Sequence, residues 1–222
     1  MDAILILDQA RWRCAKDRVE QQLAPAAAIR RNINCALTQR YCVMLAISQR
    51  SVVVLVNPSL SRLTRLPAQF RSRVEISRVL LRHFAQVAGV SLRLLGDIGD
   101  AAASFRSLAN CQIVAGDPVS FWRDNDVSRR LGPPDTQVIY VGGAWLDQDV
   151  LAAALSAVHI GYDTRVLVDV SIALTYFDRA WALERLEQHD VLMTTMRQTM
   201  TEWSLAAQDE NISRQLRNAL QQ

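Results

Sequence analysis

The sequence predicts an α/β fold: a doubly wound, mostly parallel sheet flanked by helices and preceded by an N-terminal extension. Three observations carry this. Residues 51–56, SVVVLV, form a continuous apolar, β-branched run with no polar face, as a strand buried on both sides of a parallel sheet requires. From there on, strand-like and helix-like segments alternate with short connections. Residues 140–170, YVGGAWLDQDVLAAALSAVHIGYDTRVLVDV, read as strand, glycine turn, helix, tight turn and strand, a complete crossover unit.

Each element follows from local chemistry. Asn57-Pro58-Ser59 ends the first strand, because proline cannot donate to a central ladder. Over 70–88 the apolar positions Val74, Ile76, Val79, Leu80, Phe84 and Val87 have near-helical spacing, and Gly89 stands where a helix-terminating glycine belongs. Residues 90–95 alternate as a second strand, and 111–115 give a short third. A short helix over 124–131 is stopped by Gly132-Pro133-Pro134, and 138–141 is a fully apolar fourth strand. A helix over 150–159 ends near Gly161. A fifth strand over 165–170, a helix over 176–188, a short edge strand over 191–194 and a helix over 196–207 complete the pattern.

The α/β domain is therefore expected over 51–207, with a polar helical tail over 208–222 and an extension over 1–50. In the extension, 3–7 reads as a strand and 25–41 as an amphipathic helix, with Ile29, Ile33 and Leu37 at four-residue spacing. Residues 42–47 are an apolar run of either kind. This layout weakly repeats that of 51–95, but an arm serving an oligomer interface is the more economical reading.

Composition narrows the function. Half of the 222 residues are hydrophobic and 21% are charged, an ordinary globular balance. No apolar run approaches the roughly 20 residues that span a bilayer. The opening MDAILIL lacks a basic region and a cleavage site, so the cytoplasm is the expected compartment. Cys14, Cys35, Cys42 and Cys111 show no paired or metal-ligand spacing and read as small buried hydrophobes. His83, His159 and His189 fall in or at the ends of helical patterns, without zinc-binding spacing, so neither metal nor cofactor is expected. The net charge of +3 hides an asymmetry. Residues 1–82 hold 14 Lys and Arg against 5 Asp and Glu, whereas 83–222 hold 11 against 17. The basic half could meet nucleic acid, an acidic partner or the chain's own acidic half. Its arginines are scattered and no nucleic-acid motif accompanies them, which favours self-complementarity between copies.

The turn running Gly143, Ala144, Trp145, Leu146, Asp147, Gln148, Asp149, Val150 resembles the nucleophile motif of the isochorismatase-like cysteine hydrolases, which reads close to G-x-x-T-x-x-C-V. The resemblance covers roughly residues 51–205. The first strand ends in Val56-Asn57, where the family has its catalytic aspartate. GDPVSFWRDNDVSRRL, over 116–131, resembles the region after the catalytic lysine. Residues 169–195 resemble the family's closing aspartate turn, helix and short strand. In that family a cysteine thiolate attacks a carbonyl or imine carbon, an aspartate takes the thiol proton, and a lysine depresses the thiol pKa. Backbone N–H groups at the turn stabilise the oxyanion.

Matched position by position, the aspartate becomes Asn57, the lysine falls near Gly116 or Asp117, and the cysteine becomes Asp149; the only lysine is Lys16. Asp8, in LILDQ, also resembles the aspartate strand. Choosing it leaves 51–95 as an insertion with its own strand-helix-strand unit, so Asn57 is preferred.

The resemblance thus implies a catalytically inactive member of the fold, acting through homo-oligomerisation or through binding a protein or ligand. The ligand-binding candidates are Asn57, Asp117, Trp122, Gly143, Trp145 and Asp149. Asp149 reads first as a helix N-cap, with ligand contact and catalysis as alternatives. Trp145 would sit at the mouth of the former pocket and reads first as an ordinary half-buried aromatic, with filling the pocket or stacking on a flat ligand as alternatives. Asp117, Asp147 and Asp149 could surround a divalent cation, although their spacing is generic. Two other functions stay open: hydrolysis of small amides or esters by a non-cysteine site, and anion or nucleic-acid binding by the basic N-terminal half.

Overall fold

Strand β1, Ser51–Val56, has every residue buried and lies inside a six-stranded sheet. The computed structural model describes residues 45–66, 68–99, 101–114, 117–123, 130–131 and 135–221, within the unit Leu45–Gln222. Readings that fall on 1–44, including Asp8, Cys14, Cys35 and Cys42, and on most of 124–134 lie outside the described residues.

The chain continues through α1 (Ala68–Ala88), β2 (Ser91–Leu95), α2 (Ala101–Phe105), β3 (Cys111–Val114), α3 (Pro118–Phe121) and β4 (Val138–Gly143). It closes with α4 (Leu151–Ile160), β5 (Asp163–Leu167), α5 (Tyr176–Glu187), β6 (Leu192–Thr194), α6 (Met196–Ala206) and α7 (Glu210–Leu220). Strand order is β3-β2-β1-β4-β5-β6, and every adjacent pair is parallel. The chain winds outward to β3, returns to the centre at β4, and winds the other way to β6. The order reverses between β1 and β4, where an open α/β sheet leaves its crevice at the carboxyl ends of the strands.

Two apolar layers cover the sheet. On one face Leu81, Phe84, Tyr140, Met200, Trp203 and Leu216 join α1, α6 and α7 to the strands. On the other, Ile139, Val141, Leu146, Val150, Ala154 and Leu186 do the same for α4 and α5. Fully burying one such side chain stabilises by about 1.5–3 kcal/mol, so both central strands are firmly fixed.

The doubly wound parallel sheet expected from sequence is present, and its boundaries shift in instructive ways. Strand β4 runs two residues past 141, because Gly142 and Gly143 keep register with Leu55 and Val56. Strand β5 spans Asp163–Leu167 rather than 165–170. Apolar character misled there: the chain turns after Leu167, with Val170 N–H donating to the Leu167 carbonyl at 3.3 Å. The turn aims the Asp169 carboxylate at Met196 N–H, 3.1 Å from both oxygens, and at Ser77 Oγ, 3.1 Å away. The polar tail is helix α7, whose Leu216 is fully buried in the core. Gly89 and Gly161 end α1 and α4 with φ of +64° and +104°, the left-handed conformation suited to glycine. Among the described residues no helix is long and apolar enough to cross a membrane.

Candidate site at the sheet switch point

At the switch point β1 ends in Asn57, a buried residue held at φ +48°, which asparagine tolerates better than most side chains. Its N–H donates to the Leu95 carbonyl at 2.8 Å, so β2 fixes its position. Its side chain is engaged at both ends. Oδ1 accepts from Asp97 N–H at 2.8 Å, and Nδ2 donates to Asp149 Oδ2 at 2.5 Å. Gly96 leaves room for this: a Cβ there would lie 2.2 Å from Asn57 Oδ1 and 2.6 Å from Pro118 Cγ.

The other half of the site is the turn after β4. Gly143 has φ +126°, and a Cβ on it would lie 1.9 Å from the Val56 carbonyl oxygen. That close approach lets Ala144 N–H donate to the same oxygen at 2.9 Å. Ile172 N–H donates to the Gly143 carbonyl at 2.9 Å, and Leu146 N–H to the Ile172 carbonyl at 2.6 Å, locking the turn from the β5 side. The Ala144–Trp145 peptide is cis. A π-turn over Leu146–Val150 then leads into α4.

This turn corrects one expectation. Asp149 is not a helix N-cap: the helical path begins at Leu146, Trp145 holds the cap position, and no side chain caps it. Starting early, the path places Asp149 about one turn in, where its carboxylate meets Asn57. The two residues matched to the family's aspartate and cysteine are thus brought together. Asp117 does not join them. Its carboxylate accepts from Ser120 N–H at 2.8 Å and caps α3, while the residue itself is exposed. Among the described residues no group of three metal-ligating side chains is placed to hold a metal ion, so Asp117, Asp147 and Asp149 do not form a cation site.

Trp145, expected to be half-buried, is buried at 6% exposure, and Trp122 is buried at 7%. Trp145 belongs to a small cluster with Leu66, Val74, Ala144 and Ile172 at the sheet's carboxyl edge. The Arg62 guanidinium lies 6.0 Å from its ring centroid, within cation–π range, and Arg62 Nε donates to Asp97 Oδ2 at 3.1 Å. Trp122 stacks edge-on with Phe121, and its indole N–H is buried without a hydrogen-bond partner among the described residues.

Sequence reasoning missed Arg62, Gly96, Asp97 and Ile172. A usable signal existed for two of them: in a doubly wound sheet every strand's carboxyl end borders the crevice, and Gly96-Asp97 directly follows β2. Cys111 lies on β3, away from this constellation. Burial pushes its thiol pKa up, with the Arg93 guanidinium partly opposing, which disfavours the reactive thiolate.

This architecture and turn define the isochorismatase-like α/β fold. Its structural neighbours include a MAR1 ribonuclease from Caenorhabditis elegans (TM-score 0.68, 13% identity, 81% of this chain and 93% of that one). YcaC from Pseudomonas aeruginosa matches with a TM-score of 0.64 at 18% identity, over 80% of this chain and 90% of that one. The nicotinamidase PncA from Bacillus subtilis matches with a TM-score of 0.54 at 11% identity, over 65% and 99%. YcaC from Escherichia coli, described as an octameric hydrolase of unknown specificity, matches with a TM-score of 0.56 at 19% identity, over 80% and 95%. No family model and no curated protein matches the sequence. At 11–19% identity, the likeness to these proteins is one of fold.

Proposed function

We propose that this chain is a non-catalytic member of the isochorismatase-like fold that works through its surfaces, by assembling with copies of itself and binding other molecules. The observation that carries this is the Asn57–Asp149 hydrogen bond. At the matched positions, cysteine chemistry needs a thiol and a proton acceptor. The first is a carboxylate, one of whose oxygens accepts from an amide. The second is that amide, whose only acceptor is already used by Asp97 N–H. The lysine that would depress a thiol pKa is missing as well, since the only lysine is Lys16. The octameric state given for E. coli YcaC supports self-association as the mode of action.

The test is direct. Wild-type protein incubated with a panel of small amides, esters and imines is expected to show no turnover above buffer. The double variant Asn57→Asp, Asp149→Cys is expected to carry a thiol at position 149 that iodoacetamide alkylates at neutral pH, because the contact between the two positions persists. Wild-type turnover abolished by Asp149→Ala overturns the reading.

A second reading keeps the site chemical. Asp149 is partly exposed at the switch point, the place where such sheets bind substrates. Its carboxylate would attack an ester or amide carbonyl, the alcohol or amine would leave with a proton from solvent, and water would cleave the resulting mixed anhydride at the Asp149 carboxyl carbon. That mechanism predicts heavy oxygen from labelled water in Asp149 after turnover, seen by peptide mass spectrometry.

A further inference from the structure

Large apolar side chains stay exposed on two helices that pack on opposite faces of the sheet. On α5, Phe177 and Trp181 are 72% and 69% exposed and stand one turn apart, with Tyr176 (79%) beside them. On α1, Ile76 and Val79 are 60% and 68% exposed, again on one ridge. Single exposed hydrophobics are ordinary, whereas grouped aromatics mark contact surfaces.

The charges around the two ridges have opposite sign. On its exposed side helix α1 carries Arg73 and Arg82 against Glu75 alone, with Arg71 half-buried and Arg78 buried. Helix α5 carries Asp178, Glu184 and Glu187 against Arg179 and Arg185. Of these two arginines, Arg179 is committed, donating to the Ser171 and Val168 carbonyls at 2.9 and 2.7 Å. The outward α5 surface is therefore apolar with an acidic end, and the α1 surface apolar with basic flanks.

We propose that α5 of one copy docks on α1 of the next, with Phe177 and Trp181 against Ile76 and Val79, and Glu184 and Glu187 facing Arg73 and Arg82. This rests on the self-association reading above and gives it a surface. Because the two faces differ and lie on opposite sides of the sheet, the contact is head-to-tail rather than two-fold, and repeated contacts close into a ring if the rotation permits. The aromatics at about seven-tenths exposure offer on the order of 400 Å². That is about half of the ~800 Å² per partner that a stable interface buries, and the ridge neighbours supply more.

Light scattering on the full-length chain tests this with two surface variants. One is Trp181→Glu with Glu184→Arg on α5; the other is Ile76→Glu with Arg73→Glu on α1. All four positions are exposed, and circular dichroism checks folding. Wild type is expected to exceed monomer mass, and each variant to run as a monomer, its dissociation constant raised roughly thirtyfold or more by loss of an interface anchor. Mixed together, the two monomeric variants are expected to form a one-to-one heterodimer and nothing larger, because each retains one intact face. Variants that keep the wild-type mass, or that fail to pair when mixed, overturn this interface while leaving self-association standing. A monomeric wild type overturns both.

Discussion

Asn57 and Asp149 lie 92 positions apart in the chain, and their side chains meet at 2.5 Å across the sheet's switch point. One directly follows β1 and the other lies in the π-turn that leads into α4. The hydrogen bond therefore ties together the two central strands at the end where they have no ladder left to share. It also ties Asp97 into the same unit, since Asp97 N–H donates to the Asn57 side-chain Oδ1.

A hydrogen bond to a charged group contributes about 1.5–3 kcal/mol. Asn57→Ala is expected to lower unfolding free energy by about 3 kcal/mol, because it also forces alanine into the left-handed region at a cost of roughly 1–2 kcal/mol. Asn57→Gly lacks that backbone penalty and is expected to fall short of the alanine loss by about that amount. In urea titrations of Asn57→Ala, Asp149→Ala and the double variant, a coupling of about 1 kcal/mol or more is expected. Strict additivity would show that the contact contributes nothing.

Gly96 and Gly143 are predicted to be intolerant of alanine for different reasons. Gly143→Ala sets a Cβ against the β1 backbone, which cannot move without breaking the β1–β4 ladder, and a loss above about 4 kcal/mol is expected. Gly96→Ala meets the Asn57 amide and the Pro118 ring instead, atoms that can shift at the expense of the Asn57–Asp149 contact. In the Gly96→Ala background, Asp149→Ala should cost clearly less than in wild type. An undiminished cost would mean that the amide keeps its place.

Tyr140 gives a pH prediction. Its ring is fully buried against Trp203, edge-to-face at 5.6 Å, and its hydroxyl has no hydrogen-bond partner among the described residues. Burial pushes its pKa well above the usual tyrosine value, while the Arg165 guanidinium partly opposes this. With the folded value raised above the unfolded one, stability is complete below about pH 10. It falls by up to about 1.4 kcal/mol per pH unit above that. Tyr140→Phe is expected to remove this alkaline limb in denaturation curves from pH 8 to 11.5. At neutral pH it should be neutral or stabilising by about 1 kcal/mol, since an unpaired buried hydroxyl is lost. Parallel alkaline limbs for the two proteins would rule this out.

How much of this was legible in the sequence follows the physics of each signal. Continuous apolar runs such as 51–56 and 138–141 announced central parallel strands, because burial on both faces leaves no polar position. The glycine signals held too, since Gly89 and Gly161 sit in conformations that few other residues adopt. Boundaries set by hydrogen bonding were not readable. Residues 168–170 alternate Val-Asp-Val as a strand can, yet they turn because Asp169 is recruited to the start of α6. The site was half legible: motif likeness paired Asn57 with Asp149 through the positions they occupy. The π-turn that brings their side chains together has no composition signature, and the surroundings of Asn57, from Arg62 and Asp97 to the cis peptide, depend on contacts between distant segments.

The last prediction concerns the charged cluster behind Tyr140. Arg165, almost fully buried, donates from Nη1 to Glu202 at 2.5 Å and from Nη2 to Asp163 at 3.1 Å, with its guanidinium 5.7 Å from the Tyr140 ring. Burial alone would lower its pKa, but the bond to Asp163, Tyr140 and the two carboxylate charges raise it, so the guanidinium stays charged. A buried charge deprived of one of two partners is costly, and Glu202 is itself only a quarter exposed. Glu202→Ala is expected to lose about 3 kcal/mol. Removing the cation as well, in Arg165→Met with Glu202→Ala, should recover part of that loss, because no guanidinium is then left undercompensated and Asp163, 30% exposed, can hydrate. Thermal and urea unfolding of the two variants decide the matter. A double variant less stable than Glu202→Ala alone would mean that the arginine's packing under Tyr140 outweighs its charge.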